Sequence, residues 1–357
     1  MMRVFRLLAP ETAHDLALSA LSLLGSATPS PDPPRLRISF LEQELANPIG
    51  LAAGLDKDAV AIAGLARLGF GAIEVGSVTP RPQAGNPRPR LFRLVEDQAL
   101  VNRMGFNSAG HDAVLRRLTR YRTRMGSKGP MIGVNLGANR DSADRAGDYA
   151  EGIRRFSTLA DYLVVNISSP NTPGLRGLQA AAPLRALLDR LAEARAAASR
   201  RLPLILKLAP DLAVEDCAAI VEIALAFAVD GLAIGNTTLA RPSDLRSRHR
   251  SESGGLSGRP LFDRSTALLA EFGRVARGRL TLVGVGGVAN GRDAYAKIRA
   301  GASLVQLYTA LIYEGPGLIG RIKSELDRLL AEDRLTCVAD AVGVGLAIPS
   351  TPRLAAY

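Results

Sequence analysis

The chain has 357 residues, 47% of them hydrophobic, which is ample for a core and excludes global disorder. Its 35 glycines and 21 prolines exclude collagen-like or low-complexity architecture, and its two cysteines and three scattered histidines exclude a disulfide scaffold and a His-rich metal centre. The net charge of +11 suits either a solvated Arg-rich surface or an anionic partner: nucleic acid, a membrane surface, or a phosphorylated or carboxylated small molecule.

The length fits two domains or one α/β barrel with insertions. No charge-free apolar run reaches the roughly 18 residues of a transmembrane helix. Met1 to Pro10 lacks the apolar stretch and cleavage site of a signal peptide. Residues 2–24 predict one or two short helices, with Pro10 at a first helical position. Ala13, Leu16, Ala17, Ala20, Leu21 and Leu24 form a stripe, but Leu18 and Leu23 fall off it. Such a segment needs two apolar neighbours, either more protein or lipid. Residues 25–35 read as a linker, and 36–40 with 43–47 as a hairpin.

A regular alternation follows. Apolar runs at 49–53, 72–77, 131–136, 162–168, 203–208, 231–236, 280–285 and 304–309 read as strands. Helical stretches are expected at 58–68, 108–120, 148–159, 183–198, 214–228, 264–276, 291–299 and 317–331. Continuous apolar strands alternating with helices predict a parallel sheet buried on both faces. Eight such units match a closed (β/α)8 barrel, with a doubly wound open sheet as the alternative. Long insertions at 78–107 and 237–263 interrupt the rhythm, and loops of that length are usually functional. The tail beyond about residue 332 is rich in small residues and is expected to be partly ordered at best.

Polar residues gather where the strands end, and in a barrel these tips converge on one face. Taken singly, each has a capping or turn role as its simplest explanation. Eight strand ends offering Gly, Asn, Lys, Ser or Thr point instead to one site. Gly284, Gly286 and Gly287, joined by Gly254, Gly255 and Gly258, let backbone N–H groups approach a phosphate. Lys57 and Lys207 stand at strand ends in an otherwise apolar barrel and need an anionic partner or a depressed pKa. They suit either Schiff-base chemistry or a redox site.

Several motifs resemble the dihydroorotate dehydrogenases. They are Asn-Pro-Ile-Gly-Leu-Ala-Ala-Gly-Leu-Asp-Lys at 47–57, the runs at 69–82 and 85–94, Asn-Arg-Met-Gly-Phe-Asn at 102–107, Asn-Ile-Ser-Ser-Pro-Asn-Thr-Pro-Gly-Leu-Arg at 166–176, and Gly-Gly-Leu-Ser-Gly-Arg-Pro at 254–260. The resemblance spans about residues 2–331. The helical N-terminal extension and Ser169, where class 1 enzymes carry a cysteine, resemble the quinone-linked class 2 branch. It implies FMN in a TIM barrel (36–335), an N-terminal quinone- and membrane-associated segment (1–35) and a C-terminal tail (336–357).

The implied reaction is oxidation of dihydroorotate to orotate in pyrimidine synthesis, with a membrane quinone as final acceptor. Ser169 would be the base, with Thr172 and a water as relays. Lys57, Asn102, Arg103, Met104, Gly105, Phe106, Asn107, Asn166, Asn171, Asn236 and Thr237 would surround the substrate. Ala53, Gly54, Lys57, Ser77, Asn135, Asn166, Lys207, Gly258, Gly287, Tyr308 and Thr309 would hold FMN. His14, Arg93 and Tyr308 would line a quinone tunnel. Gly235 departs from the family, where Thr is common. No organelle transit sequence with a following transmembrane helix precedes the first family helix. The expected location is therefore the cytoplasmic side of a bacterial inner membrane, with peripheral contact. No metal and no nucleic acid is expected. An RNA-modifying FMN barrel is disfavoured, because neither Cys217 nor Cys337 lies at a strand end.

Overall fold

The computed structural model describes residues 8–25, 31–126 and 128–346. Eight parallel strands close into a barrel: β3 (Ile49–Leu51), β4 (Ala72–Val78), β7 (Met131–Leu136), β8 (Tyr162–Asn166), β9 (Leu204–Leu208), β10 (Gly231–Ile234), β12 (Thr281–Val285) and β13 (Leu304–Leu307). Val305 registers with Ile49 where β13 meets β3, which shuts the ring and excludes the open sheet. All seven residues of β4 are buried, as expected of strands covered on both faces.

The barrel is wrapped by α2 (Ile62–Ala66), α3 (His111–Met125), α4 (Arg145–Phe156), α5 (Ala181–Ala196), α6 (Asp216–Ala226), α7 (Phe262–Ala276), α8 (Gly291–Arg299) and α10 (Leu318–Glu332). A six-residue helix, α9 (Thr309–Glu314), intervenes after β13. Below the barrel a hairpin pairs β1 (Ile38–Phe40) with β2 (Gln43–Leu45). Phe40 meets Tyr162 edge-on, with ring centroids 5.8 Å apart, and plugs the end where the strands begin.

The two insertions are not independent loops. The first contributes β5 (Leu91–Leu94) and β6 (Ala99–Asn102), and the second contributes β11 (Gly255–Gly258). Together they form one antiparallel sheet in the order β11-β6-β5. It has its own small core of Phe92, Leu94, Ala99, Val101, Leu245 and Leu256.

The N-terminal helix α1 (Pro10–Leu23) packs on α2 and β5. Residues 1–7 and 26–30 lie outside the described residues. The face of α1 differs from the expected stripe. Ala13 is buried and Leu18 and Leu21 pack on the core, whereas Leu16, Leu23 and Leu24 are exposed. The exposed face carries the polar stripe of Thr12, Asp15, Ser19 and Ser22, and the packed face lies opposite. Polar anchors fix it there. Glu11 accepts from Arg90 Nη2 at 2.7 Å and Arg88 Nη2 at 3.0 Å, and Arg93 Nη1 donates to the Leu8 carbonyl at 2.7 Å. The Arg90 and Glu11 side chains are 7% and 13% exposed, so neither is readily resolvated if the other is lost. Removing one member of a buried pair costs about 3–5 kcal/mol. Glu11→Ala is therefore expected to lower the melting temperature by several degrees. An unchanged melt would show that the pair does not hold α1.

Part of the tail packs on the barrel's outer layer. Val338 and Ala341 are fully buried, and Gly343 N donates to the Ile298 carbonyl at 3.0 Å. Residues 347–357 lie outside the described residues.

Candidate active site

One cavity opens at the C-terminal ends of the barrel strands, roofed by α1 and the inserted sheet. Ala53, Gly54 and Lys57 reach it from the loop after β3, Ser77 from β4, and Asn166 from the end of β8. The loop after β8 adds Ser169 and Asn171, β9 adds Lys207, and the loop after β10 adds Asn236 and Thr237. Gly287 follows β12, and Tyr308 and Thr309 follow β13. The inserted sheet and its loops supply Asn102, Met104, Gly105, Phe106 and Gly258, while α1 supplies His14.

Five of the expected site residues do not line this cavity. Asn135 lies behind Ser77, whose hydroxyl it accepts, and is fully buried. Thr172 is buried within the Ser169 loop. Arg103 pairs with Glu252 at 2.8 Å and lies over the Phe92 ring. Arg93 reaches the Leu8 carbonyl. Asn107 keeps a buried Oδ1 without a protein partner. Gly254 and Gly255 also lie outside the cavity wall, so only Gly258 of that trio lines it.

Two hydrogen-bond clusters fix the polar lining. In the first, the buried Glu74 carboxylate on β4 accepts from Asn135 Nδ2 at 2.7 Å, Lys207 Nζ at 3.2 Å and Gln306 Nε2 at 2.7 Å. Glu74 is the anionic partner that Lys207 requires, so the barrel interior is not purely apolar. In the second, Asn236 Nδ2 donates to Ser168 Oγ at 2.8 Å, and that hydroxyl donates to Asn166 Oδ1 at 2.9 Å. Asn166 Nδ2 then reaches Ser77 Oγ at 2.9 Å, which joins the clusters. Each amide is thereby fixed in one orientation.

The Ser169 loop has its own clasp. Arg176 donates to the Ser168 carbonyl at 3.0 Å, to Asp211 at 2.7 Å and to the Thr237 carbonyl at 2.8 Å. Ser169 is buried, and its Oγ accepts from Asn171 N at 3.3 Å.

Sequence reasoning missed Glu74, Gln306, Gln98, Ser257, Arg259 and Tyr313. The last five line the cavity, and Glu74 orders its floor. Glu74 and Gln306 carried a signal: each is a polar residue inside a continuous apolar strand.

Electrostatics differ along the cavity. Burial lowers Lys57 to about 8, and its Nζ donates to the Gly54 carbonyl at 2.9 Å. Burial, reinforced by the Lys57 charge, lowers His14 to about 4, so its imidazole is neutral near pH 7. At the other end the backbone approaches very closely. Gly287 has φ +78°, and a Cβ there would lie 2.4 Å from Phe262 Cα. Gly235 has φ +120°, and a Cβ would lie 2.4 Å from the Val285 carbonyl oxygen, so this backbone admits only glycine there.

A parallel barrel whose strand ends converge on one polar cavity is the architecture of a (β/α)8 enzyme. The chain belongs to the dihydroorotate dehydrogenase family, whose model matches residues 35–330. It is 53% identical over 339 residues to a dihydroorotate dehydrogenase (quinone) of Rhodospirillum rubrum, covering 94% of this chain and 91% of that protein. It is 50% identical to the mitochondrial dihydroorotate dehydrogenase (quinone) of Mus musculus, covering 95% of this chain and 87% of that one. The DHODH of Eimeria tenella solved in complex with ferulenol superposes with a TM-score of 0.90 at 40% identity, covering 94% of this chain and 95% of that one.

Proposed function

We propose that the cavity binds FMN and that the chain oxidises (S)-dihydroorotate to orotate in pyrimidine synthesis, with a membrane quinone as final electron acceptor. The observation that carries this reading is the convergence of seven of the eight strand ends on one cavity with two chemically distinct ends. The residues fit the cofactor. The wall at Gly258 and Gly287 is backbone with no room for side chains, as a phosphate cradle requires. Lys207, Asn166 and Ser77 offer fixed donors for a flavin ring. Bound FMN supplies the hydride acceptor.

The remaining chemistry falls to the chain. Ser169 takes the C5 proton of the substrate, with Thr172 and a water relaying it. Its buried loop, clasped by Arg176, supports that role. Lys57 holds the substrate carboxylate. Asn102, Asn107, Asn166, Asn171, Asn236 and Thr237 meet the carbonyls and ring N–H groups, because an unpaired buried group costs about 1–3 kcal/mol. Arg103, Met104, Gly105 and Phe106 shape that wall. Ala53, Gly54, Tyr308 and Thr309 complete the flavin site, Asn135 orients Ser77 from behind it, and Lys207 supplies its cation.

Residues 1–35 form the quinone-facing segment, with His14, Arg93 and Tyr308 at its inner end. No helix among the described residues is long and apolar enough to cross a membrane. The exposed Leu16, Leu23 and Leu24 on α1 instead suit peripheral contact. We assign this contact to the cytoplasmic side of a bacterial inner membrane.

The test is steady-state turnover of dihydroorotate with a short-chain quinone across pH. Lys57 must be protonated to hold the carboxylate, and it loses that proton as pH rises through about 8. The kcat/KM for dihydroorotate is therefore expected to fall above about pH 8. A flat profile to pH 9.5 would remove Lys57 from that role, and absence of turnover at every pH would overturn the function.

A further inference from the structure

Behind the glycine wall lies a buried lysine that the reaction does not use. Lys297, on α8, is fully buried. Its Nζ donates to Ser265 Oγ at 2.9 Å and Thr266 Oγ1 at 3.0 Å, and lies 5.2 Å from the centroid of the Phe262 ring. All three partners belong to the start of α7. Ser265 Oγ in turn donates to the Gly286 carbonyl at 3.1 Å, and Gly287 packs on the Phe262 backbone. The ammonium thus stands one layer of protein behind the Gly286–Gly287 wall of the cavity.

Among the described residues no carboxylate lies within ion-pair distance of Lys297. Asp263 of α7 and Asp293 of α8 act on it only at longer range. Asp293 is engaged by the Ala289 N–H at 2.9 Å. Gly284 of β12 contributes no charge, Glu325 of α10 is engaged by the Gly291 N–H, and Arg259 is the cation on the cavity side. Burial lowers Lys297 to about 7. A buried ammonium with only hydroxyl and ring partners is costly, and an apolar side chain would fill the position more cheaply. An anion seated against Gly286 and Gly287 would supply the missing countercharge.

We propose that Lys297 is a positioning residue for the FMN phosphate, acting through Ser265 and the Gly286–Gly287 loop to select a phosphorylated flavin. The proposal rests on the FMN reading above. A phosphate dianion favours the protonated lysine, so FMN binding at pH 8 draws a proton into the protein. The affinity for FMN then falls as pH rises through that window. Lys57 titrates nearby in pH, but it belongs to the substrate end and acts alike on any flavin.

The test uses the full chain stripped of flavin and its Lys297→Met variant, titrated with FMN and with riboflavin, which lacks the phosphate. Flavin fluorescence reports binding at pH 8, and calorimetry in two buffers of different ionisation enthalpy reports proton uptake. A charge acting across one layer of protein at an effective dielectric of about 20 is worth roughly a factor of ten. Lys297→Met is expected to weaken FMN by about that factor, to leave riboflavin within about twofold, and to abolish proton uptake. Equal loss for both flavins would mean a merely structural role and would overturn the proposal, as would unchanged FMN affinity. Should the variant not fold, the wild-type protein decides: no proton uptake with FMN, or equal uptake with riboflavin, overturns it. A wild-type protein that binds neither flavin overturns the FMN reading itself.

Discussion

Ser169→Ala is expected to keep bound flavin and to lose reduction of that flavin by dihydroorotate by about 10²–10⁴-fold, the usual contribution of a positioned general base. The change deletes one buried hydroxyl that accepts only the Asn171 N–H among the hydrogen bonds of the loop. The clasp that shapes the loop runs through the Ser168 carbonyl and Arg176, neither of which the substitution touches. Folding and flavin content therefore stay near wild type, and the loss falls on the chemical step. Anaerobic stopped-flow absorbance reads this directly. Flavin reduction within threefold of wild type would remove Ser169 from the role of base and pass it to another group on the loop.

Deletion of residues 1–24 is expected to separate the two half-reactions. It removes α1 and with it His14, the Leu8 carbonyl that engages Arg93, and the exposed leucines. The substrate and flavin residues on the barrel are untouched. Reduction of flavin by dihydroorotate should persist, while quinone-dependent turnover falls by at least about 100-fold and binding to anionic vesicles is lost. The deletion also strips Arg90 of Glu11, so a lower melting temperature accompanies it. Assays at low temperature separate that cost from the functional one. Full quinone turnover in the truncated protein would contradict the assignment of this segment.

The barrel was legible because strands buried on both faces must be apolar over most of their length. Runs such as 131–136 and 203–208 announce themselves for that reason, even with Asn135 and Lys207 inside them. The inserted sheet was not, because β5, β6 and β11 have four residues each and draw on two segments more than 150 residues apart. No local pattern reports such a pairing. The face of α1 was missed for a different reason: its apolar residues cover more than one side, and it is the polar stripe of Thr12, Asp15, Ser19 and Ser22 that marks the exposed face.

At the site, motifs brought most of the lining into view, including His14 at the far side of the cavity. They said less about support. Asn135, Thr172, Arg93, Arg103 and Asn107 lie behind or beside the wall, and of these Asn135 accepts from Ser77, Arg93 reaches the Leu8 carbonyl and Arg103 pairs with Glu252. Glu74 stood in plain sight as a carboxylate within an apolar strand, and Lys207 called for an anion. Only the barrel register brings the two together. The need for glycine at position 235 likewise becomes intelligible only once the Val285 carbonyl is seen against it.

The central claim is that one cavity passes electrons from dihydroorotate through FMN to a quinone. It is tested most directly by the anaerobic absorbance of the FMN-loaded protein, given dihydroorotate and then a short-chain quinone. The account predicts bleaching of the flavin band with the first addition and its return with the second. A flavin that stays oxidised under excess dihydroorotate would contradict it.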